Sequence, residues 1–343
     1  MSAGENDAAI QPRIVEWLCD VMPQATALSI SGFSRIFGGN ARIAWAFDLH
    51  WTEAGQSKFM PCIMLSQVAG RHVDSDVTAE YRLLKAITGC GSRAPAALAL
   101  DAEGRVSGGP AIVLQRLEGE ASAVAFLNHA NEEEAQQRCR DLAVASAELH
   151  RIEVAQVGLF TGIAPRQAAL DQISHWEQQF LDHRQEPLPV VVHLFSWLKR
   201  HCPTPTRLCL VHGDLRPGNF LYRGADVTAL LDWEMAHAGD PAEDIAWIYR
   251  PLWSPEKFMP IEEFVRVYRE RAGFDIGMEN LRFYQVFSEM KFAALSLTAS
   301  HSALSGQSDN LRHLDRAAKV AASLARCFEL IDGLYREAVD VSA

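Results

Sequence analysis

No apolar run in these 343 residues approaches the ~20 needed to cross a bilayer. The opening "MSAGENDAAI" has neither the basic nor the apolar stretch of a signal peptide. Cysteines are few and poorly spaced for cross-linking. There are seven, at 19, 62, 90, 139, 202, 209 and 327, with no Cys-x-x-Cys. An odd, scattered set argues against a disulfide frame or a zinc site and points to reduced, mostly buried thiols in a cytoplasmic protein. Positive charge is also in short supply: Lys plus Arg is 32 against 43 Asp plus Glu, a formal net charge of −11. Nucleic acid and anionic membrane are therefore poor partners. A local basic pocket for a phosphate-bearing ligand stays compatible with that balance. No repeat, low-complexity tract or long linker interrupts the chain. Nothing in the composition sets an oligomeric state.

What is present is an ordinary globular composition, 48% hydrophobic and 22% charged, on a chain long enough for two lobes. Apolar spacing predicts a helix in "QPRIVEWLCDVM", residues 11–22. "GGNARIAWAFDLHW" and "KFMPCIMLSQV" read as strands joined by the turn "TEAGQS". "DSDVTAEYRLLKAI" reads as a helix capped by Asp or Ser, with Val77, Tyr81, Leu84 and Ile87 on one face. "AIVLQRLEGE" is a buried strand. The expectation is an α+β chain, with a small lobe over 1–115 carrying an antiparallel sheet and a larger, mostly helical lobe over 116–343. Helices at about 130–205 form an insert that covers a substrate. Strand character returns only at "RLCLVHGD", "NFLYRG" and "VTALLDWE", and after 240 the chain reads as helical apart from "PLWSPEKFMP".

That returning segment carries the chemistry. "VHGDLRPGNFLY" reads as strand, polar loop and strand, and the next strand ends in Asp232. Side by side, these strands would bring Asp214, Asn219 and Asp232 to one end of a hairpin. Phosphoryl transfer needs a group to orient an attacking hydroxyl and take its proton. It also needs hard oxygen ligands for Mg²⁺ on the phosphates. Asp214 suits the first task, Asn219 and Asp232 the second. Taken singly, each is an ordinary turn former or strand end; the set in this order favours chemistry. His212 reads as a hydrogen-bonded support of the loop, and Trp233 as packing.

"VHGDLRPGNFLY", "LLDWE" and "GDPAEDIAW" resemble the aminoglycoside phosphotransferase and choline kinase-like family. "ELHRIEVAQVGL", "HWEQQFLD" and "WLKRHCPT" are similar to helices of the subgroup attached to some acyl-CoA dehydrogenases. The resemblance implies a two-lobed protein-kinase-like fold that uses ATP, or GTP, with Mg²⁺ to phosphorylate a small-molecule hydroxyl. It implies that Asp214 is the catalytic Asp, that Asn219 and Asp232 are metal ligands, and that Asp244 braces the loop. Gly38 and Gly39 would cover the phosphates, and backbone near Gln115 and Leu117 would meet the adenine.

The N-terminal part departs from that pattern. Where the family's loop reads Gly-Gly-x-Ser-Asn, this chain has Ala41 and Arg42. Glu80 falls where the helix Glu belongs, but the strand cation it should orient is replaced by Leu65, and no cation follows Lys58 on that strand. Arg42 is the nearest substitute for the phosphates, with Arg71 and Lys85 further off. An exposed Arg42 with Glu80 unpaired is the other expectation. The subgroup resemblance favours a hydroxyacyl thioester or other metabolic alcohol, whose anionic groups Arg166, Lys199, Arg200 and Arg207 could meet. The acidic run "NEEEAQQ" suits an aminoglycoside-like acceptor. The missing strand cation also admits a catalytically silent nucleotide-binding or scaffold protein. The absence of Ala-Pro-Glu after Asp232 disfavours a protein kinase.

Overall fold

Large side chains at every second position build the first part of the chain. Trp45, Phe47 and Leu49 recur every second residue, as do Cys62 and Met64, so one face of two adjacent strands is apolar. Helix α1 (Ala3–Val21) lays Ile14, Trp17 and Leu18 on that face, and together they form one core cluster. The strands are β1 (Thr26–Ile36), β2 (Arg42–Glu53) and β3 (Gln56–Gln67), followed by helix α2 (Val77–Ile87), β4 (Ala97–Asp101) and β5 (Ala111–Gln115). They form an antiparallel sheet in the order β1-β2-β3-β5-β4. Ala54 and Gly55, both with positive φ, close the β2–β3 hairpin in two residues. The structure, a computed structural model, describes residues 3–36, 42–67, 76–184, 186–306 and 312–341.

Two compact units emerge. The first is Met1–Gly119 with Thr228–Glu234; the second is Glu120–Val227 with Met235–Ala343. The second begins with α3 (Ala123–Leu127), α4 (Glu132–His150), α5 (Val154–Val157), α6 (Pro165–His183) and α7 (Pro189–His201). Then come β6 (Cys209–Val211), β7 (Phe220–Arg223) and β8 (Asp226–Leu230), which runs across the division, and β9 (His237–Gly239). Helices α8 (Ala242–Ile248), α9 (Ile261–Ala272), α10 (Met278–Leu304) and α11 (Arg312–Val341) complete the unit. Helix α10 packs on α6, α8 and α11, and α4 packs on α9. Strand β6 pairs antiparallel with β9, Leu210 opposite Ala238.

Several details differ from the sequence-based expectation. The helix predicted at 11–22 starts at Ala3, and strands β1, β4 and β9 lie outside the predicted set. Strand β8 stops at Leu230, because Asp232 has a left-handed backbone (φ 66°) that ends any strand. Asp76 caps α2 through Thr78 N and Ala79 N, but Tyr81 is only half-buried; Glu80 and Leu83 join Val77, Leu84 and Ile87 on the buried face. All seven cysteines are free; Cys19 and Cys90 are exposed and the rest are buried. Among the described residues, no helix is long and apolar enough to cross a membrane.

Candidate active site

In the second unit the polar loop after β6 is suspended from one buried carboxylate. Asp244 accepts from His212 N at 2.8 Å and Gly213 N at 2.9 Å. His150 Nε2 donates to Asp244 at 3.0 Å, and the far ring nitrogen of His150 meets the Tyr268 hydroxyl at 2.9 Å. Burial alone would raise the Asp244 pKa, but the His150 hydrogen bond and its neighbours outweigh it and hold the carboxyl at about 2. His212 is buried, and its Nδ1 accepts from Asp214 N at 3.3 Å. Gly213 is required as glycine: its φ is 80°, and a Cβ there would collide with the Met235 backbone.

A second buried network holds the loop from below. Lys291 Nζ, on α10, donates to Gly213 O at 2.5 Å and to Glu243 at 2.9 Å. Glu243 also pairs with His237 Nε2 at 3.1 Å. Burial disfavours the Glu243 carboxylate, yet Lys291 and His237 bring its pKa below the usual carboxylate range. Neither Lys291 nor Glu243 stands in "VHGDLRPGNFLY", the motif that points to the loop. The only available signal was a lone Lys inside an otherwise apolar stretch of α10, "MKFAAL".

Held in this way, Asp214 presents a nearly buried carboxylate, 13% exposed. Oδ1 accepts from Trp247 Nε1 at 2.7 Å and Arg216 Nε at 3.1 Å. Oδ2 accepts from Asn219 Nδ2 at 2.5 Å, and the same amide donates to Asp214 O at 2.9 Å. With both contacts made by its nitrogen, Asn219 keeps its amide oxygen for another partner, which fits a hard cation ligand. Among the described residues there is no cluster of three His, Cys, Asp or Glu that would hold a metal. A Mg²⁺ carried on phosphates needs only one or two protein ligands.

In the first unit, Arg42 is the centre. The β2–β3 register sets Arg42 opposite Gln67 and Ala44 opposite Leu65, so Arg42 and Leu65 are diagonal neighbours on one sheet face. The expectation of an exposed Arg42 and an unpaired Glu80 is corrected. The Arg42 side chain is 9% exposed, with Nη1 2.6 Å from Glu80 and Nη2 2.9 Å from Glu234. Burial would lower the Arg42 pKa, but Glu80, Glu234 and Asp232 together raise it. Burial and Asp232 push the Glu80 carboxyl up against the pull of Arg42.

Gly38, Gly39 and Arg71 lie outside the described residues. Gln115 ends β5, its N donating to Ala96 O at 2.8 Å, and Leu117 is half-buried just beyond. Lys85 is exposed, 5.9 Å from the Tyr81 ring centroid. Of the cations expected to meet the acceptor, Lys199 pairs with Glu177, Arg207 pairs with Glu153, and Arg166 donates to Cys202 O. Arg200 lines a cavity of about 430 Å³ with Trp197 and Phe328, among residues that carry none of the chemistry above.

Residues 64–284 match the model of the phosphotransferase enzyme family. Acyl-CoA dehydrogenase family member 10 of Mus musculus is 26% identical over 272 residues, 72% of this chain and 24% of that protein. Acyl-CoA dehydrogenase family member 11 of Gallus gallus is 26% identical over 242 residues, 64% of this chain and 31% of that protein. The chain thus spans less than a third of the length of these curated relatives. Among solved structures, a choline kinase from Cryptosporidium parvum matches at TM-score 0.63 and 13% identity, over 90% of this chain and 91% of that one. A thermostable mutant of aminoglycoside phosphotransferase APH(4)-Ia, in ternary complex with ADP and hygromycin B, matches at TM-score 0.58 and 17% identity, over 93% and 98%. These structures share the α+β fold. The family match covers well over half of the residues, and the chain belongs to the phosphotransferase enzyme family.

Proposed function

We propose that this phosphotransferase-family chain moves the γ-phosphate of ATP to the hydroxyl of a small molecule, with Asp214 as the base. The observation that carries the reading is the Asp214 carboxylate. It is nearly buried and fixed by donors from Trp247, Arg216 and Asn219 on a loop whose backbone is itself held by Asp244. In the reaction the acceptor oxygen attacks the γ-phosphorus while its proton passes to Asp214. The bond from that phosphorus to the β–γ bridging oxygen breaks, and ADP leaves with the electron pair. The donors orient Asp214 and leave lone pairs for the incoming hydroxyl. Asn219 and Asp232 would hold Mg²⁺, which when bound neutralises the phosphate oxygens. Arg42, oriented by Glu80, would take the part of the strand cation that Leu65 lacks. Backbone near Gln115 and Leu117 would receive the adenine.

The acceptor is a metabolite alcohol such as a hydroxyacyl thioester, an inference supported by the likeness to acyl-CoA dehydrogenase family members 10 and 11. An aminoglycoside-like acceptor is the competing choice. The test is a thermal-shift series with ATP or GTP and Mg²⁺, followed by ADP release with Asp214→Asn as control. Nucleotide should raise the melting temperature by mass action. If neither nucleotide shifts it and no ADP forms, the silent scaffold that Leu65 suggests becomes the better reading.

A further inference from the structure

Three arginines gather around one aromatic platform beside Asp214. Trp253 and Phe292 lie edge to face with ring centroids 5.7 Å apart. The Arg216 guanidinium lies 5.5 Å from the Trp253 centroid, and those of Arg250 and Arg316 lie 3.5 Å and 5.7 Å from Phe292. Two of the three are neutralised: Arg216 by Asp214 at 3.1 Å, and Arg250 by Glu289 at 2.8 Å. Arg316 is different. It is half-buried, and among the described residues no carboxylate lies within ion-pairing distance of it. Its chain neighbour Asp315 is 72% exposed and turned to Lys319 at 3.4 Å.

The charge on Arg316 is therefore held against a gradient. Burial, then Arg216, lower its pKa, while Asp214 and Asp315 oppose them. The three groups Arg316, Arg216 and Asp214 feel one another's charge. A half-buried cation beside a like charge is unfavourable unless an anion arrives to share it. A guanidinium pair on an aromatic floor suits a flat oxyanion, which it can grip with paired N–H donors.

We propose that Arg316, with Arg216, forms an anion subsite for the acceptor, so that the alcohol phosphorylated at Asp214 also carries a carboxylate or phosphate group. The proposal rests on the reading of Asp214 as the base. It narrows the acceptor to hydroxy acids and their phosphorylated or thioester relatives, and it turns away polycationic sugars by repulsion from the same pair.

The test uses the full chain with ATP and Mg²⁺ and four probes: 4-hydroxybutyrate, glycerol 3-phosphate, 1,4-butanediol and 4-aminobutanol. Binding is read by saturation-transfer NMR and turnover by ADP release. The expected result is that at least one anionic probe binds roughly tenfold more tightly than the diol or the amino alcohol. Arg316→Gln should remove that preference and Arg316→Lys should keep part of it. Whether the carboxylate or the phosphate probe wins identifies the group. Equal binding of all four probes overturns the subsite. So does a preference that survives Arg316→Gln, or one lost equally in the remote, exposed Arg266→Gln. If Asp214→Asn turns over as fast as the parent while the anion preference still follows Arg316, the base is misassigned and the subsite stands.

Discussion

The two units treat buried charge in opposite ways. In the second, the two buried groups that hold the loop backbone, Asp244 and Lys291, each have several hydrogen-bonding partners. Asp244 has His150 and two backbone donors, and Lys291 has Glu243 and the Gly213 carbonyl. In the first, one guanidinium answers three carboxylates: Arg42 is bonded to Glu80 and Glu234, with Asp232 adding to the field. The second unit's arrangement is a closed circuit that fixes a backbone. The first unit's carries an excess of negative charge around a single cation, a balance that suits the proposed metal and phosphate. The difference separates residues that hold geometry from residues whose pairing a bound phosphate would change.

The largest expected effect lies where the closed circuit delivers its product. Asp214→Asn should lower kcat by roughly 10²–10⁴-fold, with nucleotide affinity and melting temperature little changed. ADP release and a thermal scan on the same preparation decide it, and near-parental turnover would remove Asp214 from the chemistry. Next comes the circuit itself. Lys291→Met leaves Glu243 buried against His237 alone and should cost about 3–5 kcal/mol in a urea titration. Adding Glu243→Gln should recover part of that loss. If the double variant is no better than the single, the Lys291–Glu243 pair is not what the loop depends on.

On the side of the single cation, Arg42→Ala should weaken nucleotide binding by roughly 10- to 150-fold, the value of a charge-assisted contact of ~1.5–3 kcal/mol. Leu65→Lys in that background should restore much of it, because the two positions are diagonal neighbours on one sheet face. Calorimetry with ATP and Mg²⁺ measures both. A parent and an Arg42→Ala variant of equal affinity would end the compensation argument. Asp244 offers a pH measurement. Its folded pKa of about 2 lies below its ordinary 3.8, so the stability it contributes is full above about pH 4 and is lost as pH falls toward 2. Asp244→Asn should remove roughly 2 kcal/mol of acid dependence in that window. An unchanged acid limb in the variant would show that other carboxylates dominate it.

The sequence carried the loop more plainly than its supports. Asp214, Asn219 and Asp232 stand in a short, ordered motif, and alternation at Trp45, Phe47 and Leu49 gave the sheet its period. The supports are far apart in the chain. His150 reaches Asp244 across 94 residues and Lys291 reaches Gly213 across 78, and no local pattern records such pairings. Strand β9 was hidden because His237, Ala238 and Gly239 have no strand propensity of their own; pairing with β6 makes them a strand. Arg42 was legible as a substitute by position. Its buried pairing with Glu80 required the β2–β3 register and the turn of α2 together.

The finest test concerns Glu234, which shares Arg42 with Glu80. The two carboxylates are not equivalent: the Glu80 side chain is 2% exposed and that of Glu234 is 21%. A phosphate approaching Arg42 would meet repulsion from both, but only Glu234 has solvent to turn into. Glu80 would therefore stay and orient the guanidinium, and Glu234 would yield. A partly exposed ion pair is worth ~0.5–1 kcal/mol, so Glu234→Gln should tighten ATP–Mg²⁺ binding by about two- to fivefold. Glu80→Gln should weaken it, since the guanidinium loses its buried anchor. Calorimetry on the two variants gives opposite signs if Arg42 exchanges partners. If Glu234→Gln weakens binding as Glu80→Gln does, both carboxylates anchor Arg42, and the first unit is as closed a circuit as the second.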